Sequence, residues 1–203
     1  MLKIFRRKKR SIKQNLLRPD MYHTAIWAID FEELSRRGIS YLIIDVDSTI
    51  ADAHSPEMSP GAFKAIKSAM ERGFIKNACL VSNVMYGRKK RERVATMARK
   101  LGIPYVAASF YNAKPRSSPF VKGLNLLNSR IEDTAVIGDQ IFTDILGGNR
   151  LGMLTILIQP LGRIHWTTRV SLRRFREGRL LKKMKVCLME PCPGNNFMGG
   201  IHE

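Results

Sequence analysis

Residues 41 to 50 read Tyr41-Leu42-Ile43-Ile44-Asp45-Val46-Asp47-Ser48-Thr49-Ile50, an apolar run that leads into two carboxylates. An uninterrupted apolar run with two β-branched residues is typical of a strand buried on both faces, as in the centre of a parallel sheet. Open α/β folds collect their ligands at the carboxyl ends of such strands, so we expect Asp45 and Asp47 at a crevice. A cation would compensate the desolvated carboxylates. Taken alone, the pair also fits two solvated turn residues.

Strand and helix patterns alternate after this stretch. Helices are predicted from Ser59-Pro60 to about Arg72, from Arg88 to Leu101, from Ser118-Pro119, and before Leu151-Gly152. Besides the first strand, apolar strands are predicted near residues 76–81, 104–107, 134–137 and 154–158. The alternation predicts an α/β fold, a doubly wound and mostly parallel sheet of five strands.

Polar residues that could react or bind a ligand also follow the other predicted strands. Because a parallel sheet aligns the carboxyl ends of its strands, the following side chains are expected around one crevice: Asp45, Asp47, Ser82 and Asp139, with Lys114 and Asp144 on neighbouring segments. Carboxylates without His or Cys are the ligands that Mg²⁺ prefers. The sequence therefore predicts a magnesium site at this edge.

These segments, in this order, resemble the four motifs of the haloacid dehalogenase (HAD) superfamily. The run from Gly138 to Gly152, GDQIFTDILGGNRLG, is similar to the YqeG-type HAD IIIA phosphatases. That family includes the phosphatidylglycerophosphate phosphatases of mitochondria, plastids and some bacteria. The likeness covers about residues 16 to 175, and it departs from the family at Ser48, where Asn is usual.

The resemblance implies a role for each side chain. Asp45 would be the nucleophile that forms an aspartyl-phosphate, and Asp47 the general acid and base. Lys114 and Ser82 would stabilise charge on the phosphoryl oxygens. The implied Mg²⁺ ligands are Asp45, the main-chain carbonyl of Asp47, Asp139 and, either as a ligand or as an anchor for Lys114, Asp144.

The chain has little room for a cap domain, which HAD enzymes acting on small metabolites usually carry to enclose the substrate. Residues 51–58 are too few to form one, and residues 82–114 are taken up by one helix and one strand. We therefore expect an uncapped crevice, open to a substrate that belongs to a surface or a polymer.

The formal net charge of +18 indicates an anionic partner, such as a lipid surface, a nucleic acid or phosphorylated small molecules. The charge pattern divides the chain into a basic N-terminal arm (1–19), the HAD-like domain (20–162), a basic C-terminal helix (163–189) and a tail (190–203). The arm fits either a disordered segment or a helix on an anionic surface, and the C-terminal helix fits either that surface or packing against the domain.

The expected function is that of a Mg²⁺-dependent phosphatase that dephosphorylates phosphatidylglycerophosphate at a membrane surface. The alternatives are a phosphatase of soluble phosphometabolites, and a basic nucleic-acid- or ribosome-binding protein with a vestigial HAD site. Few aromatic residues accompany the basic runs, which disfavours base stacking. The three cysteines fit neither a disulfide framework nor a zinc site, so we expect a cytoplasmic protein. The basic charge adds the expectation of a peripheral position on the inner face of the membrane.

Overall fold

The computed structural model describes residues 16–53, 55–84 and 87–162. Within these residues the strands are β1 (Met21–His23), β2 (Tyr41–Ile44), β3 (Asn77–Asn83), β4 (Tyr105–Ala108), β5 (Thr134–Gly138) and β6 (Leu154–Ile158). The helices are α1 (Phe31–Arg36), α2 (Pro60–Glu71), α3 (Arg88–Leu101), α4 (Ser118–Leu127) and α5 (Leu146–Leu151). A π-helical turn, Ile141–Ile145, leads into α5.

The strands form one sheet in the order β1-β6-β5-β2-β3-β4, and every pair of neighbours is parallel. From β2 the chain adds β3 and β4 on one side, then crosses to β5 on the other side. The order therefore reverses between β2 and β5. This is the position where doubly wound sheets open a crevice at the carboxyl ends of their strands.

Alternate residues of the central strand pack on opposite faces of the sheet, as strand geometry requires. Leu42 and Ile44 lie in a buried cluster with residues of α1, α2 and α3, whereas Ile43 lies in a second cluster with Phe120 and Leu124 of α4. The sheet is thus covered on both faces. This explains why β2 has no polar residue before Asp45.

The fold class predicted from the sequence is confirmed, but the number of strands was wrong. The sixth strand, β1, has only three residues and pairs with β6 at the edge of the sheet. Asp20 fixes its start, because its carboxylate accepts hydrogen bonds from the Thr155 amide (2.9 Å) and hydroxyl (3.1 Å). A strand this short is set by such distant contacts and has no periodic pattern of its own.

The absence of a cap is confirmed in the described part of the chain. Fourteen residues separate Asp45 from the start of α2, and the described elements between Ser82 and Lys114 are only α3, β4 and a short 3₁₀ turn. In the same residues, no helix has the length and apolar character needed to cross a bilayer. The predicted arm through residue 15, the helix at 163–189 and the tail lie outside the described residues.

Candidate active site

Two carboxylates leave the sheet where the strand order reverses. Asp45 directly follows β2 and Asp139 directly follows β5, and the backbone amide of Asp45 donates to the carbonyl of Ile137 at 2.9 Å. The two strands are neighbours and parallel, so both side chains lie at the edge of the sheet formed by the carboxyl ends of the strands. Asp144, in the π-helical turn after β5, completes a group of three buried carboxylates whose ligand atoms lie within 4.8 Å of one another.

Lys114 lies inside this carboxylate cluster. Its Nζ forms ion pairs with Asp45 Oδ1 at 2.5 Å and Asp144 Oδ1 at 2.7 Å, and it donates a hydrogen bond to the Val81 carbonyl at 2.8 Å. The ammonium thus forms ion pairs with two of the three carboxylates. We call Asp45, Lys114, Asp139 and Asp144 the acidic cluster.

Burial and charge act against each other in the acidic cluster. Desolvation raises the pKa of Asp45 to about 6, although the nearby Lys114 ammonium lowers it. Burial alone would lower the pKa of Lys114, but the carboxylates of Asp144 and Asp45 outweigh burial and raise it. The lysine is thus held in its charged form. One ammonium cannot neutralise three carboxylates, so the cluster favours an additional cation.

The polar neighbours of the acidic cluster fix its geometry. Thr49 Oγ1 donates to Asp45 Oδ2 at 3.2 Å, and Thr143 Oγ1 donates to Asp144 Oδ2 at 3.2 Å. The side chain of Asn83 accepts from the Lys114 amide (2.9 Å) and donates to the Lys114 carbonyl (3.3 Å). This pair of bonds ties the lysine loop to the end of β3.

Gly138 leaves the space that Asp144 occupies. A Cβ at this position would overlap the side chain of Asp144. The glycine before Asp139 is therefore required by the close approach of the π-helical turn to the strand end, independently of any conformational freedom.

Ser48 adopts a left-handed backbone conformation, with φ of 61°, in the loop after Asp47. Asn adopts this conformation more readily than most residues, which gives a physical reason for the Asn expected there from the family pattern. The loop is nevertheless fixed, because the Ser48 carbonyl accepts from the Leu161 amide at 2.7 Å. Ser48, in place of the Asn expected from the family pattern, is thus compatible with this turn.

Asp47 lies apart from the acidic cluster. Its Oδ1 accepts a hydrogen bond from Arg93 Nη1 at 2.5 Å, and Arg93 also donates to the carbonyls of Ser55 (2.5 Å) and Asp52 (2.8 Å). The side chain of Asp47 is thus not one of the grouped carboxylates. The predicted contribution of Asp47 to the metal, through its main-chain carbonyl, stays a prediction.

Ser82 is buried near the end of β3, next to Val81, whose carbonyl accepts from Lys114. The structure therefore places Ser82 at the same edge of the sheet as the acidic cluster. Its role in binding a phosphoryl oxygen, like the catalytic roles of Asp45, Asp47 and Lys114, stays a prediction.

The donor set of the acidic cluster fits Mg²⁺. Asp45, Asp139 and Asp144 supply hard oxygen donors, and the described cluster contains no imidazole or thiolate that would favour zinc. A divalent ion there would balance the two negative charges that Lys114 leaves over.

The sequence prediction missed two residues of the site, Arg93 and Asn83. Arg93 follows the basic run 88–91, but it is only partly exposed and lies four residues before the buried Met97. That spacing, which puts Arg93 beside the buried face of α3, is the signal that could have distinguished it. Asn83 directly follows Ser82, and nothing in the sequence alone relates it to Lys114.

Comparison with known proteins identifies the family. The sequence model of the mitochondrial PGP phosphatase family matches residues 7–162. The protein named Probable phosphatase YqeG, from Bacillus subtilis (strain 168), is 33% identical over 144 residues, which are 70% of this chain and 77% of the relative.

A further relative and a solved structure are less similar. Phosphatidylglycerophosphate phosphatase 1, chloroplastic, from Chlamydomonas reinhardtii is 31% identical over 155 residues, covering 72% of this chain and 52% of the relative. The crystal structure of a haloacid dehalogenase-like hydrolase from Brucella suis 1330 aligns with 71% of this chain and 97% of its own, with a TM-score of 0.47 and 12% identity. By the family match and the YqeG relative, the chain belongs to the mitochondrial PGP phosphatase family and is a YqeG-type phosphatase.

Proposed function

We propose that this chain is a Mg²⁺-dependent phosphatase that removes the terminal phosphate of phosphatidylglycerophosphate through an aspartyl-phosphate. The observation that carries the proposal is the acidic cluster, in which three buried carboxylates lie close together where the strand order reverses and one lysine pairs with two of them. The crevice has no cap in the described residues, so a phosphate carried on a large or surface-bound molecule can approach it.

In this proposal, Asp45 acts as the nucleophile. Thr49 and Lys114 bind its two carboxylate oxygens and hold the group in one orientation. Attack of a carboxylate oxygen on phosphorus forms the aspartyl-phosphate and breaks the bond to the leaving alkoxide. A water then attacks the phosphorus, which releases inorganic phosphate and regenerates Asp45.

Asp47 carries the proton in both steps. It protonates the leaving alkoxide in the first step and takes a proton from the attacking water in the second. Arg93 orients the carboxylate, since it binds Asp47 and two carbonyls of the following loop at once. We expect this arrangement to keep the Asp47 carboxylate within reach of the leaving group.

Lys114 neutralises charge on the transferred group. Its Nζ already lies between two carboxylates, and the hydroxyl of Ser82 at the adjacent strand end supplies a neutral hydrogen-bond donor. Bound Mg²⁺, held by Asp45, Asp139 and Asp144, would reduce the repulsion between the nucleophile and a phosphate dianion.

The identity of the lipid rests on the relatives and on the open crevice. A relative from Chlamydomonas carries the name phosphatidylglycerophosphate phosphatase, and the family description names the same activity in mitochondria. The net charge of +18 favours approach to an anionic leaflet, where each basic residue near the surface contributes about 1 kcal/mol.

Phosphate release from phosphatidylglycerophosphate in vesicles, measured with and without Mg²⁺, tests the proposal. We expect Mg²⁺-dependent release by the wild type and none by Asp45→Asn, whose circular dichroism spectrum should match that of the wild type. Hydrolysis of soluble phosphosugars with no release from the lipid would assign the chain to the soluble-metabolite alternative. Equal release by Asp45→Asn would exclude the proposed nucleophile.

A further inference from the structure

Two adjacent aromatic side chains are exposed at the edge of the sheet that holds the acidic cluster. A 3₁₀ turn, Phe110–Asn112, begins two residues after the end of β4 and precedes Lys114. Phe110 is 55% exposed and Tyr111 is 78% exposed. A single exposed apolar residue is ordinary, but two adjacent aromatic rings beside a binding crevice indicate an interaction surface.

The backbone holds this aromatic turn in a defined shape. The guanidinium of Arg116 donates to the Tyr111 carbonyl at 2.5 Å, and the Asn112 amide donates to the Ser109 carbonyl at 3.0 Å. The two rings contact each other edge to face, with centroids 5.8 Å apart. The rings are therefore presented to solvent by a hydrogen-bonded turn.

Basic side chains accompany the aromatic turn. Arg116 is exposed on the same loop, and the first turn of α3 exposes four consecutive basic residues, Arg88 to Arg91. The next residue, Glu92, pairs with Arg88 at 2.7 Å. Since β3 and β4 pair with Asn83 opposite Ala108, the segments that follow them leave the sheet side by side. We call Phe110, Tyr111, Arg116 and residues 88–91 the crevice rim.

We propose that the crevice rim is the surface that docks on an anionic lipid leaflet, with Phe110 and Tyr111 inserted at the level of the headgroups. Aromatic rings favour the membrane–water interface, and neighbouring Lys and Arg side chains bind lipid phosphates. The inference rests on the proposed function and adds to it the face of the protein that meets the membrane.

The position of the rim favours a lipid over a macromolecular partner. The rim lies on the segments that follow β3 and β4, at the same edge of the sheet as Lys114 and Asp45, where the crevice opens. A protein or an RNA bound there would cover that opening, whereas a leaflet supplies the substrate through it. Docking by the rim thus brings the lipid phosphate to the acidic cluster.

Sedimentation of the full-length protein with phosphatidylcholine vesicles that contain phosphatidylglycerol tests the surface. We expect the Phe110→Ala/Tyr111→Ala double variant to bind about tenfold more weakly than the wild type, because interfacial binding scales with the apolar area inserted. The difference should persist at high salt, which screens the basic residues. The conservative double variant Phe110→Trp/Tyr111→Trp should restore binding.

Leu126→Ala is the matched control. Leu126 is 53% exposed near the carboxyl end of α4, a helix that runs away from the crevice, so its loss should leave vesicle binding unchanged. Equal binding by the double alanine variant and the wild type, or no vesicle binding by the wild type, would overturn the inference. So would a selective loss of RNA binding in the double alanine variant.

Different experimental results would reject the proposed substrate and the proposed docking surface. We expect the double alanine variant to have a lower ratio of phosphatidylglycerophosphate hydrolysis in vesicles to hydrolysis of p-nitrophenyl phosphate in solution. An unchanged ratio with active enzyme would reject the docking surface but retain the phosphatase. Ring-dependent vesicle binding without hydrolysis of this lipid would reject the substrate but retain the surface.

Discussion

Two ion pairs of the candidate active site, Lys114–Asp45 and Arg93–Asp47, have the same length but different surroundings. Lys114 meets Asp45 at 2.5 Å, with side chains 3% and 9% exposed, and Arg93 meets Asp47 at 2.5 Å, with side chains 13% and 25% exposed. The first pair shares its lysine with Asp144, whereas the second pair is partly exposed and its arginine also donates to two backbone carbonyls.

This difference separates two physical tasks. Removing one partner from a buried pair leaves an uncompensated charge, which costs several kcal/mol, whereas a partly exposed pair is compensated by water. The buried pair therefore determines whether the site can hold its charges at all. The Arg93–Asp47 pair determines the orientation of the Asp47 carboxylate.

Replacing Lys114 should produce the largest effect. Lys114→Met leaves three buried carboxylates without a cation, so we expect a loss of about 3–5 kcal/mol in the unfolding free energy of the metal-free protein. Because the variant also lacks the charge that faces the phosphoryl group, activity should fall by about 10³-fold. Denaturant titration and kinetics with p-nitrophenyl phosphate measure both, and Mg²⁺ should restore part of the stability.

The pH dependence of metal-free stability should reveal the burial of Asp45. Burial raises its pKa to about 6 in the folded protein, so the folded state holds the proton more tightly than the unfolded state. The stability that the protonated form of Asp45 contributes is therefore lost as the pH rises from about 4 to about 6, by up to roughly 3 kcal/mol.

Comparison with Asp45→Asn isolates this contribution, because other titrating groups largely cancel. We expect the variant to gain stability relative to the wild type as the pH rises through that window, in denaturant titrations without metal. A stability difference that is independent of pH would contradict the raised pKa.

Gly138→Ala should damage the buried cluster through packing alone. The added methyl group overlaps Asp144, so we expect a loss of about 1–3 kcal/mol of stability. Since Asp144 holds Lys114, kcat should also fall, by about 10²-fold. The matched control is Gly148→Ala, whose methyl group would meet Thr155 and Val136 outside the site. It should lose stability without a comparable loss of kcat in the folded fraction.

Replacing Arg93 should have the smallest effect on stability. We expect Arg93→Gln to change the unfolding free energy by about 1 kcal/mol or less, because the pair is partly exposed. Activity should nevertheless fall about tenfold, since Asp47 loses the group that orients it. A stability loss as large as that of Lys114→Met would remove the distinction between the two pairs.

Much of the fold follows from local patterns in the sequence. The apolar run before Asp45 and the glycines that end the helices predicted the alternation of strands and helices. The edge strand β1 could not be predicted this way, because its three residues are held by hydrogen bonds between Asp20 and Thr155, 135 residues apart.

The residues of the site likewise fall into those that local sequence patterns predict and those that they do not. Residues that directly follow strands, such as Asp45 and Asp139, are brought together by parallel pairing, which the pattern predicts. Arg93 reaches Asp47 across 46 residues, and Asn83 reaches Lys114 across 31. Such pairs depend on how loops fold over the sheet edge, and periodicity contains no information about this.

The central claim is that a divalent cation completes the acidic cluster, and calorimetric titration with Mg²⁺ tests it most directly. We expect the wild type and the exposed control Glu132→Gln to bind one Mg²⁺ with equal affinity, and Asp139→Asn to lose this binding. Equal Mg²⁺ affinity in Asp139→Asn and the wild type would contradict the claim.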